Sequence, residues 1–368
     1  MRNASTTVTP DAASGLRFLV SGGLPDDWDE RAGTAPATLS KRWINLAEGR
    51  VPGGLRTFGL YDPDGTLTMG LCGGVQDAPT GHPRFDPYAV LSGASAGPGV
   101  EIATEGPHPW KGVDPEHVFP ACVVMFPNYE TVPAGRDARD RFTAEEFVGA
   151  LTRWTREQGI RSVVHLYLRS DRPEYLAALQ SHGACLVPMA ERCDMRVTWT
   201  DFDGYLATLS RNRRTAARRE TREIRERGIE IRERGVRDEE PDLVRLRCNL
   251  VAKYGGVADP EREAGSLRYL RDHFGDDLLV IEARKDGRTL AFSTFIRDGD
   301  AWTVLMNGAD YDDPAASFVY FATMFYRPAE LAPAVGVRTI GYGIGTIAAK
   351  RSRGCTTTTL YAAVQVNE

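Results

Sequence analysis

The sequence predicts a mixed α/β protein made of two related lobes in tandem. Three observations predict it. A chain of 368 residues exceeds an ordinary single core, so two domains of roughly 150–200 residues are the default. Two stretches repeat one order of elements: an Asp-Gly hairpin, then a strand, a helix and a buried strand. At the same joint of both, Gly159-Ile160-Arg161-Ser162-Val163 parallels Gly336-Val337-Arg338-Thr339-Ile340. A shared segment at equivalent points of two similar plans marks a duplication.

The first hairpin pairs strands at 56–61 and 67–71 across Asp64-Gly65. The second pairs 278–283 with 289–296 across Asp286-Gly287. Asp-Gly between apolar runs is a strong hairpin signal because glycine accepts positive φ. In the first copy a strand at 121–126 leads to a helix over about 143–158, with Phe147, Val148, Leu151 and Trp154 on one face. Thr143 with Glu146 forms a capping-box start, Gly159 ends the helix, and 161–168 is the next strand. In the second copy the strand is 302–306. The helix covers about 315–332, aligns Phe318, Ala322 and Phe325, and is kinked or shortened by Pro328. Gly336 ends it and 338–342 follows as a strand. A Gly/Pro-rich insertion over 76–118 enters the first copy, a length typical of a functional loop or lid. The expected organisation is a flexible tail over 1–15, a first lobe over 16–198 and a second over 199–368. The transition falls near 196–203, where a basic helix begins. This order of elements resembles the GNAT acyltransferase fold. The resemblance implies that the strands flanking the main helix splay apart and admit an acyl donor.

Composition narrows the class. An apolar content of 42% supplies two cores, and 26% charged residues supply a water-facing surface. The longest apolar runs are strand-sized, far from the ~20 residues of a membrane helix, so no membrane span is expected. The small, polar residues 1–15 lack the apolar stretch of a signal peptide. Cysteines at 72, 122, 185, 193, 248 and 355 form no CxxC pair, and no His cluster accompanies them. They read as reduced and mostly buried in a cytoplasmic protein, with no metal site.

The net charge of −5 is unevenly spread. Residues 211–227 carry eight Arg against three Glu, a local +5 against −10 for the rest. A basic segment on an acidic body points to a local anionic partner. Arg211, Arg214, Arg218, Arg222 and Arg225 stand on one helical stripe. Glu220, Glu223 and Glu226 flank it, and Ala217, Thr221 and Ile224 form a narrow opposite side. A solvated helix laced with ion pairs is the plain alternative. The excess of arginine fits phosphate better, because guanidinium forks match phosphate oxygens. The stripe lacks interleaved aromatics, so RNA backbone and shape are its expected targets rather than base sequence or DNA.

A second cluster closes the chain. Asn307-Gly308-Ala309-Asp310-Tyr311 follows a strand, and later come Gly341-Tyr342-Gly343-Ile344-Gly345 and Lys350-Arg351-Ser352-Arg353. Gly341, Gly343 and Gly345 leave backbone amides open to a ligand. Lys350, Arg351 and Arg353 suit a phosphate or a developing oxyanion. A flexible basic loop is the alternative, and the glycine spacing lacks the context of a dinucleotide site.

The arginine segment, the Asn-Gly-x-Asp-Tyr turn and the glycine run ending in Lys350 together resemble the Fem-like, tandem-GNAT acyltransferases. These comprise peptidoglycan bridge aminoacyltransferases and relatives in actinobacterial natural-product pathways. The likeness spans about 28–363. It implies aminoacyl-tRNA as donor, an amide as product, and a donor-phosphate contact for Lys350. Ala349 stands where bridge enzymes carry an aromatic residue. Their coiled-coil insertion is missing, which favours a small amine acceptor over lipid-linked peptidoglycan. Acyl-CoA remains the alternative donor, and a non-catalytic RNA-binding module a third reading. The Arg/Gln-x-x-Gly-x-Gly/Ala turn that grips CoA at a helix N-terminus is absent from 127–142 and from 308–317; Gly135-Arg136-Asp137-Ala138-Arg139 has the wrong order. No cofactor beyond the donor is expected. The ester is already activated, so positioning supplies most of the rate. Asp310, His165 and Tyr342 are candidate bases, against a turn-capping role for Asp310 and a core role for His165.

Overall fold

The computed structural model describes the chain outside residues 1–5, 9–14, 34–36, 95–107, 128, 239, 317 and 368. Most of the expected tail and the middle of the 76–118 insertion therefore lie outside the described residues. Residue contacts divide the chain into two compact units, Met1–Arg192 with Thr358–Glu368, and Cys193–Thr357. Among the described residues no helix is long and apolar enough to cross a membrane.

The first unit is a mixed sheet in the order β1 (Thr6–Val8), β2 (Arg17–Gly22), β3 (Arg56–Tyr61), β4 (Leu67–Gln76), β5 (Ala121–Val124), β6 (Ser162–Arg169) and the chain's last strand, β13 (Thr356–Val366). β5 and β6 are parallel, pairing Ala121 with Ser162 through Val124 with His165. A parallel pair needs a crossover. Helix α1 (Arg141–Glu157) supplies it and lays Phe147, Val148, Leu151 and Trp154 in the core. Phe147 meets Phe18 edge-on at 5.7 Å and Trp154 meets Phe58 at 5.5 Å. The helix begins two residues before the expected Thr143, because Asp140 accepts a bond from the Phe142 amide while Thr143 is buried inside the helix. β13 pairs antiparallel with β6, from Leu360 opposite Arg169 to Val366 opposite Ser162. The last eleven residues thus pack with the first unit, whereas the expected division assigned them to the second.

The second unit is a sheet in the order β7 (Cys185–Arg196), β12 (Thr339–Gly343), β11 (Ala301–Ala309), β10 (Arg288–Asp298), β9 (Leu278–Lys285) and β8 (Glu230–Arg234). β7 enters it through Cys193 to Arg196, which pair with β12. The β9–β10 hairpin turns at Asp286 and Gly287, both at positive φ (48° and 79°). β11 and β12 are the parallel pair. Their crossover is broken where a single helix over 315–332 was expected. Phe318 adopts φ 68°, so the helix opens late as α5 (Val319–Phe321). A π turn follows over Ala322–Tyr326, then α6 (Arg327–Leu331). Pro328 has no N–H to give the carbonyl four residues back, and the π turn lies across that gap.

The two plans match in hydrogen bonds as well as in order. The Arg161 amide donates to the Pro120 carbonyl at 2.8 Å, and the Arg338 amide donates to the Asp300 carbonyl at 2.7 Å. Ile160 closes onto Thr155 at 2.9 Å as Val337 closes onto Ala332 at 3.0 Å. Each bond fixes the same step, from the end of the main helix into the parallel strand.

The basic segment forms α3 (Arg211–Glu226) after a short α2 (Phe202–Thr208). Ala217 and Ile224 are buried as expected, and so is Glu220. Helix α4 (Pro241–Lys253) crosses β11 closely at Gly308, which lies inside that strand rather than in a turn. A methyl group there meets the Leu246 carbonyl carbon and oxygen at 2.5 Å and the Arg247 nitrogen at 2.8 Å. Backbone cannot yield as a flexible side chain does. Gly308→Ala is expected to destabilise the second unit by about 1–3 kcal/mol, and Gly235→Ala, which meets open space, by under about 0.5 kcal/mol, in denaturant titrations.

Candidate functional site

The glycine run begins where β12 ends and is closed by a short helix, α7 (Ile347–Arg351). Lys350 lies on the third turn-forming position of that helix, yet it is only 3% exposed. Its ammonium folds back and donates to the carbonyls of Tyr342 at 2.7 Å, Gly343 at 3.2 Å and Ile344 at 2.8 Å. A buried ammonium is costly unless its N–H bonds find acceptors, and here they find three peptide oxygens. The consequence follows from peptide planarity. In a trans peptide the amide points opposite to its carbonyl. Three carbonyls drawn towards Lys350 therefore turn the amides of Gly343, Ile344 and Gly345 the other way. The amides of Ile344 and Gly345 have no acceptor among the described residues, and both residues are half-buried. Two neighbouring unbonded donors backed by a buried cation form a site for an anionic oxygen. Lys350 thus positions the donors.

The next residues divide in role. Arg351 is exposed and donates to the Thr357 hydroxyl at 2.9 Å. Arg353, expected on phosphate, is 5% exposed and grips both carboxylate oxygens of Glu220 at 3.0 Å. Its guanidinium lies 4.0 Å from the Phe321 ring centre, and Tyr326 donates to Glu220. Tyr205 donates to the Arg353 carbonyl at 2.9 Å. Enclosed in this way, Arg353 is a tie between the end of α7 and helix α3, and phosphate binding is withdrawn for it.

The arginine stripe also divides. Arg214 turns inward and bonds the Leu206 and Leu209 carbonyls at 3.0 and 3.1 Å, capping the end of α2. Its expected phosphate contact gives way to this cap. Arg218 reaches Asp203 at 3.4 Å, and Arg222 reaches Glu226 at 3.7 Å with both side chains largely in solvent. Arg211 and Arg225 are exposed and have no partner among the described residues. Arg211, Arg218, Arg222 and Arg225 remain as an outward cationic face.

The three candidate bases are not brought to one point. Asp310 is held by Arg245 at 3.1 Å and Arg288 at 3.6 Å. Tyr342 is buried, stacks on Phe325 at 4.8 Å, and its hydroxyl has no partner among the described residues; burial pushes its phenol well above the usual value. Its carbonyl joins it to Lys350. His165 belongs to the first unit, 2% exposed on β6, with Nε2 3.0 Å from the Tyr175 hydroxyl. Burial lowers its imidazole from 6.5 to about 3, so it is neutral near pH 7. Ile344 was passed over in the sequence because only its glycine neighbours stood out. Glu220 was passed over because a Glu among arginines looks like a surface partner.

Residues 132–368 match the FemAB-like family, described as peptidoglycan biosynthesis/recognition. No curated protein matches. Among solved structures, FemX is 9% identical with a TM-score of 0.56, over 89% of this chain and 91% of that one. A tandem GNAT protein from the clavulanic acid biosynthesis pathway is 12% identical over 95% of this chain and 98% of that one, with a TM-score of 0.47. L-PGS from Bacillus licheniformis is 11% identical over 67% and 78%, with a TM-score of 0.46. The fold is the mixed α/β, tandem GNAT-like class that the element order predicts.

Two outcomes are expected from these environments. Lys350→Met leaves three inward carbonyls without a donor and should cost about 3 kcal/mol in urea titrations. The pH response of His165 has a definite sign. Its folded value lies below its unfolded value, so the unfolded chain takes up the proton first and this contribution to stability falls as pH drops from about 6.5 towards 3. Wild type should lose about 2 kcal/mol more than His165→Gln between pH 7 and pH 5.

Proposed function

This chain belongs to the FemAB-like family, and from that premise we propose that it moves an aminoacyl group from tRNA to a small amine, forming an amide bond. By family and fold it is an acyltransferase. The donor, the amine acceptor, a cytoplasmic setting and a place in natural-product biosynthesis belong to the proposal. One observation carries it: the unbonded amides of Ile344 and Gly345, turned outward by the hold of Lys350 on three carbonyls.

Acyl transfer develops negative charge on the former carbonyl oxygen. Amide donors fixed before the reaction stabilise that charge without reorganising. The amine attacks the ester carbon, a C–N bond forms, and the oxygen becomes an oxyanion facing the Ile344 and Gly345 amides. The C–O ester bond then breaks. The proton shed by the amine goes to the departing tRNA hydroxyl. Lys350 does not touch the substrate; its charge lies behind the peptide units and strengthens their field. Asp310 is occupied by two arginines, Tyr342 keeps its proton, and His165 is bonded to Tyr175. The scheme therefore assigns most of the rate to placement of an activated ester. Arg211, Arg218, Arg222 and Arg225 supply the contact with tRNA phosphates, in the lobe read as the donor side; the first lobe takes the acceptor.

The test supplies purified protein with charged tRNA pools or acyl-CoAs, together with candidate amines. Amide product from charged tRNA and none from acyl-CoA is expected. Product from acyl-CoA alone overturns the donor, and RNA retention without turnover returns a binding module. Arg222→Ala with Arg225→Ala should lower the tRNA-dependent rate about tenfold and flatten its salt slope by about one unit per arginine. A double variant with the wild-type salt slope returns α3 to a helix of surface ion pairs.

A further inference from the structure

Beneath α3 lies a cavity of about 320 Å³. Its floor is apolar, with Leu206 and Ile224 buried and Ile231 half-buried. Phe202 adds an aromatic wall, set edge-on to Tyr326 at 6.2 Å. Its rim carries Arg218, Arg222 and Arg225. A fourth arginine, Arg327, is tied to Glu233 and to Glu330. The rim is therefore less neutralised than it looks at first. Arg225 has no partner among the described residues, and Arg222 has only an exposed contact at 3.7 Å. Arg218 and Arg222 stand one helical turn apart, about 6 Å along the axis.

An apolar slot beside cations selects a particular chemistry. A bare inorganic anion gains nothing from Leu206, Ile224 or Phe202. An uncharged ring gains nothing from the arginines. A flat ring joined to a phosphate uses both. We infer that this cavity receives a single nucleotide, its base on the apolar floor against Phe202 and its phosphate on Arg222 and Arg225. The volume lies at the small end of ligand pockets, enough for one ring system. Unstacked bases bind aromatic and guanidinium faces in this manner. The inference rests on the reading of α3 as an RNA-facing helix and deepens it. The stripe lacks aromatics of its own, but the fold brings Phe202 to it from α2. The nucleotide is either an unpaired residue of an RNA strand or a free mononucleotide, and both share this chemistry.

Calorimetric titration of the full chain separates the possibilities. Cytidine and adenosine 5′-monophosphates should bind at least tenfold more tightly than inorganic phosphate and than the matching nucleosides. Arg225→Glu, at an exposed position, should weaken the mononucleotides at least tenfold. Ile231→Trp should fill the slot and reduce them to the level of phosphate, with circular dichroism reporting the fold of both variants. Should Ile231→Trp fail to fold, the wild-type comparison and Arg225→Glu decide. Mononucleotides no tighter than phosphate, or mononucleotide and oligonucleotide affinities unmoved by Arg225→Glu, overturn the inference. A pentanucleotide at least tenfold tighter than either mononucleotide identifies the RNA strand as the source, and equal affinities identify the free nucleotide. Nucleotide binding without transfer from charged tRNA keeps the cavity and sinks the donor reading. Transfer that persists after Arg225→Glu has abolished nucleotide binding does the reverse.

Discussion

A buried ammonium must find acceptors for its N–H bonds, and Lys350 finds them in three consecutive peptide carbonyls. Much of the second unit's character follows from that demand. For three carbonyls to converge, the chain after β12 must bend sharply. Gly343 and Gly345 take φ of 64° and 80° to do so, and Thr346 takes 48°. The same bend turns the intervening amides outward. Glycine run and lysine are therefore one device, in which the charge stays inside and the hydrogen-bond donors are presented. A lysine placed in the cleft itself would add a mobile, hydrated charge. Held behind the peptides, it adds a fixed one.

A second buried charge extends this order to the arginine helix. Glu220 faces inward from α3 and meets Arg353, which follows α7. The pair is enclosed by Phe321 and Tyr326. Truncating either partner would leave a buried charge alone, a severe penalty. The tie fixes the rotation of α3 about its axis, and that rotation decides which arginines face water. Arg214 is spent on the end of α2. Arg211, Arg218, Arg222 and Arg225 are left on the outer side. The cationic face thus depends on an acidic residue at the core.

The duplicated frame has been used differently in the two units. Both have a parallel pair joined by a main helix, and both close the joint with the same two amide bonds. The first unit places His165 on its parallel strand, neutral and bonded to Tyr175. It also buries Glu130 between Arg169 and Arg192. Burial pushes that carboxyl up, but the two arginines hold it below the usual range. Tyr167, between these groups in sequence, adopts φ 61° within β6, a costly conformation for a bulky residue.

Local signals in the sequence settled the frame. Asp-Gly turns, the 147-148-151-154 stripe and the repeated Gly-x-Arg joint depend on neighbours a few residues apart, and each lies where those rules put it. The same is true of the glycine run as a place of open amides. What the tertiary structure decided were contacts between distant segments. Glu220 and Arg353 are 133 residues apart, so nothing near Glu220 marks it as buried. Phe318 and Pro328 broke a helix that periodicity would have continued, through one left-handed residue and one missing donor. The pairing of β13 with β6 joins residues nearly two hundred positions apart. Lys350 was visible from the start as an important charge. Its inward direction was not, because a lysine's role depends on which oxygens surround it, and those are gathered only when the chain has folded.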